Sequence, residues 1–484
     1  MNKIALTKSQ TIVFNKILSF IESKDRVFVL KGYAGTGKTT LMRFLIDKLI
    51  KQKKQFKLLA STGRAAKVLS DITKQATDAT TIHSMIYSFS GLNQDLSKVD
   101  TTKEEPIGPL FIMFEPTKLD PNTSPETIYI IDEASMVSDI EEKDITQAKF
   151  GSGRLLKELL DYDTRQRSKY IFVGDPCQLP PIRETFSPAL MPEYFQKTFR
   201  INAIEGQLTE IMRQSGDNGI IVASKQIRHL YARAPEKQEF YGQQKVWGFL
   251  PFRSRQNIKL HPNIDAMLDH YVGRIKRFGY NDAICICRSN KSCYNLSVEV
   301  RRRLGLTAGS IQKNDLLMVI QNNTLHGLMN GDQVIVKEVK NAVEVRANMT
   351  YRMVIVEELV SHESHQLLLL EDTLHQIRLN LDAEQQKSLF VDFIVRMKKK
   401  GIKQKDEKEF ADAMRLDPYL NALRCVYGYA VTCHKAQGGE WNNVYIDVPR
   451  NITLNPTKET YQWIYTAMTR TKGNMHIVDD FYLR

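Results

Sequence analysis

An apolar run, Val27 to Leu30, feeds a turn from Gly32 to Thr40 that reads G-x-x-x-x-G-K-T, and an amphipathic pattern follows as far as Ile50. Strand, glycine-rich turn and helix in that order form a phosphate-binding loop. Gly32, Gly35 and Gly37 let the backbone curl so that successive N–H groups point inward, and the helix N-terminus adds its positive dipole end. Lys38 then reaches the β and γ phosphates of a nucleoside triphosphate, and the Thr39 hydroxyl is placed to hold Mg²⁺. Without the flanking strand and helix the same residues would be a glycine-rich turn carrying an exposed lysine.

A chain of 484 residues is long enough for roughly three domains with sizeable cores. Hydrophobic residues at 42% and charged residues at 25% suit a globular protein, and no apolar run is long enough to span a bilayer, so no membrane association is expected. The first ten residues lack the apolar core and cleavage site of a secretory signal, which predicts a cytoplasmic protein. The six cysteines, at 177, 285, 287, 293, 425 and 433, make no Cys-x-x-Cys pair and read as reduced thiols. Sixty-eight basic against 55 acidic residues give +13, which favours a polyanionic partner without identifying one.

Upstream of the loop, Thr7 is a helix N-cap for the pattern Ile12, Val13, Ile17, Leu18, Ile21. Gln10 beside it is either a solvent-facing glutamine or an amide that pairs with the donor and acceptor edge of adenine. Leu58 to Ala60 predicts the next buried strand, ending in Ser61 to Ala66, and Thr80 to Ser84 follows at another strand end. Ligands of an open parallel sheet gather at the carboxyl ends of its strands, so Thr62 and Arg64 are expected on the rim that carries the phosphate loop. His83 alone would read as a structural histidine.

Residues 87 to 126 turn polar, with one apolar patch from Leu110 to Phe114, and predict an inserted hairpin subdomain or a disordered loop. Thr127 to Ile131 is a strand that ends in Asp132-Glu133. There Asp132 can bind Mg²⁺ through water while Glu133 polarises the water that attacks the γ phosphate. Tyr170 to Val173 delivers Gly174 to Pro181, with Gln178 as a candidate sensor of the γ phosphate. Arg213 reads either as a salt-bridge partner or as a charge stabiliser for the transferred phosphoryl. A second α/β unit begins near Asp282, and Arg301 to Arg303 on its helix reads as a solvated face. From Gly331 to Leu381 short strands crowd together as a small antiparallel module, and Asp382 to Leu420 is helical and charged. The α/β pattern resumes from Val426 to Val431, so about 326 to 420 reads as an insertion.

Thr432 to Glu440 and Tyr465 to Arg470, taken with the earlier stretches in their order, make the chain resemble a superfamily 1B helicase of the RecD-like and phage Dda-like kind. The resemblance covers Leu6 to Arg470. It implies an α/β fold of two RecA-like P-loop NTPase domains with an inserted hairpin and an inserted SH3-like β-barrel plus helical arm. In residue numbers these are 1–200 with a pin-type insert at 87–126, then 201–325 with 421–484, and the barrel and arm at 326–420. It also implies ATP and Mg²⁺ as cofactors, with ATP contacts from Gln10, Gly32, Gly35, Thr36, Gly37, Lys38, Thr39, Thr40, Gln437 and Gly438. Thr39 and Asp132 would hold the metal, and Lys38, Glu133, Gln178, Arg213 and Arg470 would act in hydrolysis, the two arginines as fingers. Thr62, Arg64, His83, Thr432 and His434 stand at DNA-facing positions. The partners implied are single-stranded DNA and duplex junctions, with 5′ to 3′ translocation.

Ser61 departs from the family's usual proline. The insert has no clear family match, so Phe89, Phe111 and Phe114 are candidates for separating the strands or else a small core of the insert. An RNA helicase of the same superfamily, or an ATP-gated remodeller that does not unwind, are the competing readings. Loss of a finger arginine or of Glu133 would favour the remodeller, and none is lost.

Overall fold

The computed structural model describes residues 5–72, 78–93, 111–120, 125–142, 148–211, 218–236, 246–307, 309–323, 325–377, 379–403 and 407–484. The N-terminal half contributes β1 (Val27–Gly32), β2 (Phe56–Ala60), β3 (Ala79–Thr81), β4 (Tyr87–Leu92), β5 (Ile112–Pro116), β6 (Ile128–Asp132), β7 (Ala148–Phe150), β8 (Lys169–Gly174) and β9 (Ala203–Leu208). Six of these form a parallel sheet in the order β3-β2-β6-β8-β1-β9. Helices cover both of its faces, which is why β1, β6 and β8 are near-continuous apolar runs with no alternation. One face buries Leu41, Leu45 and Leu49 of the helix Lys38–Lys51 against Phe28 and Leu30, and the other buries Leu156 and Leu159 against Val29 and Phe172.

The second half adds β10 (Ile258–His261), β11 (Ala283–Cys287), β12 (Leu316–Val319), β13 (Gln333–Arg346), β14 (Met349–Glu358), β15 (Ser364–Leu370), β16 (Cys425–Tyr427), β17 (Ala430–Thr432), β18 (Trp441–Ile446) and β19 (Thr471–Val478). A second parallel sheet runs β10-β19-β18-β11-β17. The mixed α/β architecture expected from the sequence is therefore present, with two parallel sheets each carrying helices.

The antiparallel module runs β15-β14-β13-β12-β16, and a bridge between Leu369 and Leu423 ties its two edges together. Its helices, Ala383–Lys399 and Glu407–Leu416, pack Phe390, Phe393, Met397, Phe410 and Met414 into a separate small core. Leu92 and Ile112, from the arms of the β4–β5 hairpin, lie against that same core. The insert of the first domain is thus braced by the helical arm of the second. β7 extends the hairpin into a three-stranded sheet.

Three expectations are revised. The first sheet ends with β9 at Leu208, beyond the boundary expected at 200, because β9 pairs with β1 along Val27–Gly32. The antiparallel module reaches from β12 to β16, wider than 326–420. The α/β pattern, expected to resume at Val426, resumes at Ala430: the run from Val426 to Val431 divides between two sheets at Gly428, whose Cα approaches the Leu317 backbone so closely that a Cβ would lie 2.9 Å from the Leu317 carbonyl carbon.

Arg301–Arg303 is not one solvated face. Arg302 is exposed and pairs with Glu299 at 2.7 Å, whereas Arg301 is 6% exposed and donates to both oxygens of buried Asp315 at 2.7 and 2.9 Å. The helix Asn290–Arg303 turns that one arginine onto the 310–315 segment, a contact that local charge density does not encode. All six cysteines are buried and free.

Candidate nucleotide cleft and nucleic-acid face

Gly35 and Gly37 take left-handed φ values of 78° and 81°, Gly37 capping the helix Lys38–Lys51. A Cβ on Gly32 would stand 2.8 Å from the Thr36 hydroxyl and 2.9 Å from Lys38 Cγ, so the curl requires glycine there. Inside it the Lys38 ammonium donates to the carbonyls of Gly32 at 2.6 Å and Tyr33 at 3.2 Å. Gln10 is 3% exposed and bonded through both ends of its amide. Its Oε1 accepts from Thr7 N–H at 3.1 Å in a capping box, and its Nε2 donates to the Thr36 carbonyl at 3.3 Å. Its amide grips the phosphate loop and keeps a second N–H and a second lone pair beyond these bonds.

Asp132 ends β6, and Glu133 follows in the left-handed region at φ 49°, donating its N–H to Asp132 Oδ1 at 2.9 Å. Burial, then the neighbouring Glu133 carboxylate, push the Asp132 carboxyl up to about 7. Two carboxylates so placed call for a cation. Gln178 is buried, and its Oε1 has no hydrogen-bond partner among the described residues.

From the second domain the helix Lys458–Met468 lays a polar stripe on this site. The Tyr465 hydroxyl accepts from Ala34 N–H at 3.0 Å in the phosphate loop and donates to Asp175 Oδ2 at 2.8 Å. The Thr466 hydroxyl accepts from Leu179 N–H at 2.9 Å, while Gln462 Nε2 donates to the Gln178 carbonyl at 3.1 Å. Gln437 Nε2 donates to the Leu179 carbonyl at 3.3 Å. Just past the helix, Arg470 is 5% exposed, and its Nη1 stands 3.9 Å from Glu133 Oε1. The cleft between the domains encloses about 720 Å³ and is lined by Lys38, Thr39, Asp132, Glu133, Gly438 and Arg470 among others. Arg213 lies outside the described residues.

The sequence matches an AAA domain over residues 5–245 and a UvrD-like helicase C-terminal domain over 427–478. It is similar to the RecD subunit of the RecBCD enzyme of Buchnera aphidicola, 20% identical over 96% of this chain and 72% of that one. Against the ATP-dependent DNA helicase Dda of Enterobacteria phage T4 it is 39% identical over 82 residues, 17% of this chain and 18% of that one. The chain belongs to superfamily 1B of the helicases. A Methanocaldococcus jannaschii relative is 24% identical over 94% of this chain, which spans only 37% of that protein's length. A crystal structure of Bacteroides Pif1 bound to ssDNA aligns with 99% of this chain and 93% of that one, at 16% identity and a TM-score of 0.49.

In this helicase the positions expected to face DNA stand at the carboxyl ends of parallel strands: Thr62 after β2, His83 after β3, Thr432 closing β17 and His434 in the helix after it. Thr62 accepts from Ala65 N–H at 3.2 Å, so its hydroxyl caps a helix. His83 packs between Tyr87 and Phe150 at ring distances of 5.6 and 5.2 Å, and burial pulls its imidazole down to about 4. His434 is also lowered, by burial and then by Arg288.

Arg64 stands on the rim of the phosphate loop, as expected, with its side chain turned into the nucleotide cleft. It donates to Gln333 Oε1 at 3.3 Å, covers the Trp441 ring at 4.4 Å and lines the nucleotide cleft, where burial lowers its guanidinium to about 10. Lys67, one turn on, bridges to Asp332 at 2.6 Å and Glu358 at 2.7 Å in the antiparallel module. The helix after β2 therefore ties the domains together.

Of the three phenylalanines, Phe114 stacks on Phe150 at 4.7 Å, Phe111 is partly buried, and Phe89 is 37% exposed. Residues 94–110 lie outside the described residues. Gln462 and Trp441 escaped the sequence reading, and Tyr465, quoted there only as the start of a motif, was given no role. Gln462, Tyr465, Thr466 and Thr469 recur at helical spacing among the apolar residues Trp463, Ile464, Ala467 and Met468, and that polar stripe was the available signal.

Proposed function

We propose that this chain is an ATP-dependent DNA helicase that moves 5′ to 3′ along single-stranded DNA and separates duplex ahead of it. The phage relative's name, an ATP-dependent DNA helicase, supports the substrate. The observation that carries the reading is the contact across the cleft: Arg470 of the second domain reaches Glu133 of the first, while Tyr465 holds the phosphate loop. Hydrolysis and domain closure then share the same atoms, so each turnover opens and closes the two strand-end grips in alternation.

The donor set fits Mg²⁺ and ATP. The orphaned Gln178 Oε1, the raised Asp132 and the lysine held by its own loop carbonyls are groups in want of a ligand. Thr39 and Asp132 would hold the metal, which supplies positive charge to the phosphate oxygens. Lys38 would exchange two carbonyls for phosphate oxygens. Glu133 would orient and deprotonate the attacking water, and Gln178 would sense the γ phosphate. Arg470, with Arg213, would offset the charge that develops on the transferred phosphoryl. Thr62, His83, Thr432 and His434 would meet the strand, with Phe89 the most accessible described candidate to block the duplex.

The experiment is unwinding of matched duplexes that bear only a 5′ or only a 3′ single-stranded tail, with hydrolysis stimulated by DNA or RNA in parallel. Unwinding from the 5′ tail and stronger stimulation by DNA are expected. Unwinding from the 3′ tail alone, or stimulation by RNA alone, rejects the reading.

A further inference from the structure

At the edge of the second parallel sheet opposite β17, three imidazoles turn toward one another: His261 closing β10, His476 on β19, and His270 on the helix Ile264–Phe278. His261 Nε2 lies 3.0 Å from His476 Nδ1, and one nitrogen from each of the three residues falls within 4.8 Å of the others. Two ring nitrogens facing at 3.0 Å need a proton or a cation between them.

The hydrogen bonds behind two of the rings orient them. The Asp282 carboxylate can only accept, and Asn443 Nδ2 donates to it at 2.9 Å, so the Asn443 carbonyl is turned toward His476 Nε2 at 3.1 Å. His476 therefore carries its proton on Nε2 and offers the Nδ1 lone pair to the cluster. His270 Nδ1 lies 2.7 Å from the Tyr445 hydroxyl, which leaves Nε2 as the nitrogen open to the cluster. A carboxylate or amide fixing the far nitrogen of an imidazole is the arrangement that orients metal-bound histidines. The nearby Arg274 is bound to Asp282 at 2.7 and 2.9 Å, which offsets its charge.

We propose that His261, His270 and His476 form a binding site for a divalent transition metal of the zinc class, with three imidazoles and one water, clipping the helix Ile264–Phe278 to the β10–β19 edge. Zinc takes imidazole nitrogen at about 2.0–2.1 Å, so tetrahedral ligands stand about 3.3 Å apart, between the spacings found here. The alternative is a neutral aromatic stack, since Tyr445 also covers His476 at 4.3 Å and 12°.

The test uses the full chain stripped with a chelator and titrated with Zn²⁺ against a chromophoric competitor, with Co²⁺ absorption reporting the ligand field. Wild type should bind one equivalent, with a tetrahedral Co²⁺ spectrum. His270→Ala, at an exposed position, and His261→Gln, at a partly exposed one, should each weaken Zn²⁺ binding at least 10-fold and lose the spectrum, with circular dichroism unchanged. No stoichiometric binding by wild type, or a loss smaller than 10-fold in either variant, overturns the proposal; retained zinc would then sit elsewhere, as on the thiols.

Discussion

Replacing Arg470 with alanine separates the catalytic reading of the cleft from a structural one. Its guanidinium has two sets of partners. Nε donates to the Thr466 carbonyl at 3.1 Å, with longer contacts to Gly439 and Thr469, and Nη1 reaches across to Glu133 at 3.9 Å. The first set holds the end of the helix Lys458–Met468, and losing one good and two long hydrogen bonds costs about 1–2 kcal/mol of stability. The second measures what the arginine can do to a charge in the cleft. At 3.9 Å and an effective dielectric constant near 20, one unit charge acts on another with about 4 kcal/mol. If that charge meets the developing phosphoryl charge only in the transition state, its removal lowers kcat about 10³-fold and leaves nucleotide affinity nearly unchanged. Steady-state hydrolysis with saturating single-stranded DNA, a fluorescent-nucleotide titration and a thermal melt read the three quantities separately. A fall in kcat below 10-fold would refute the finger assignment. Weakened binding with normal kcat would reduce Arg470 to a structural salt-bridge residue.

Lys38→Ala should abolish hydrolysis while shifting the melting temperature little, because among the described residues the Lys38 ammonium is bonded only to carbonyls of its own loop; turnover above a few per cent of wild type would mean that the phosphate site is misread. Phe89→Ala should cut duplex unwinding several-fold and spare DNA-stimulated hydrolysis, whereas Phe114→Ala should mainly destabilise, by about 3–5 kcal/mol at most, through lost stacking on Phe150. Equal effects of the two on unwinding and on melting would reject that division. The His83 ring should stay neutral down to a midpoint near pH 4. Its folded value lies below the unfolded 6.5, so its contribution is whole above pH 6.5 and is lost at up to about 1.4 kcal/mol per unit as pH falls from 6.5 to 4. Side-chain NMR checks this, and an ordinary titration near 6.5 would show that the ring is not buried. Arg301→Glu should unfold the second domain where Arg302→Glu does not, since only the former strands a buried carboxylate; denaturation midpoints that match would refute the ion-pair argument.

Local chemistry wrote much of this molecule into its sequence. A phosphate loop is backbone curl, and glycines at Gly32, Gly35 and Gly37 between an apolar strand and a helix specify it without distant help. Acidic and polar residues at strand ends, as at Asp132 and Thr432, are likewise placed by the parallel sheet itself, so the two α/β halves and the order of their motifs were readable. What depended on approach across the fold was not. Whether Gln10 meets solvent, a base or the Thr36 carbonyl is decided by how the first helix docks. Arg64 stands at a strand end like Thr62, yet its long side chain finds Trp441 and Gln333 in another domain. Arg301 differs from Arg302 only in which side of the helix the 310–315 segment covers. The three histidines lie up to 215 residues apart in the chain, and only the packing of β10, β19 and one helix brings their nitrogens together. Periodicity and spacing report the nearest few residues, whereas a long polar side chain is committed by whatever surface the rest of the chain lays against it.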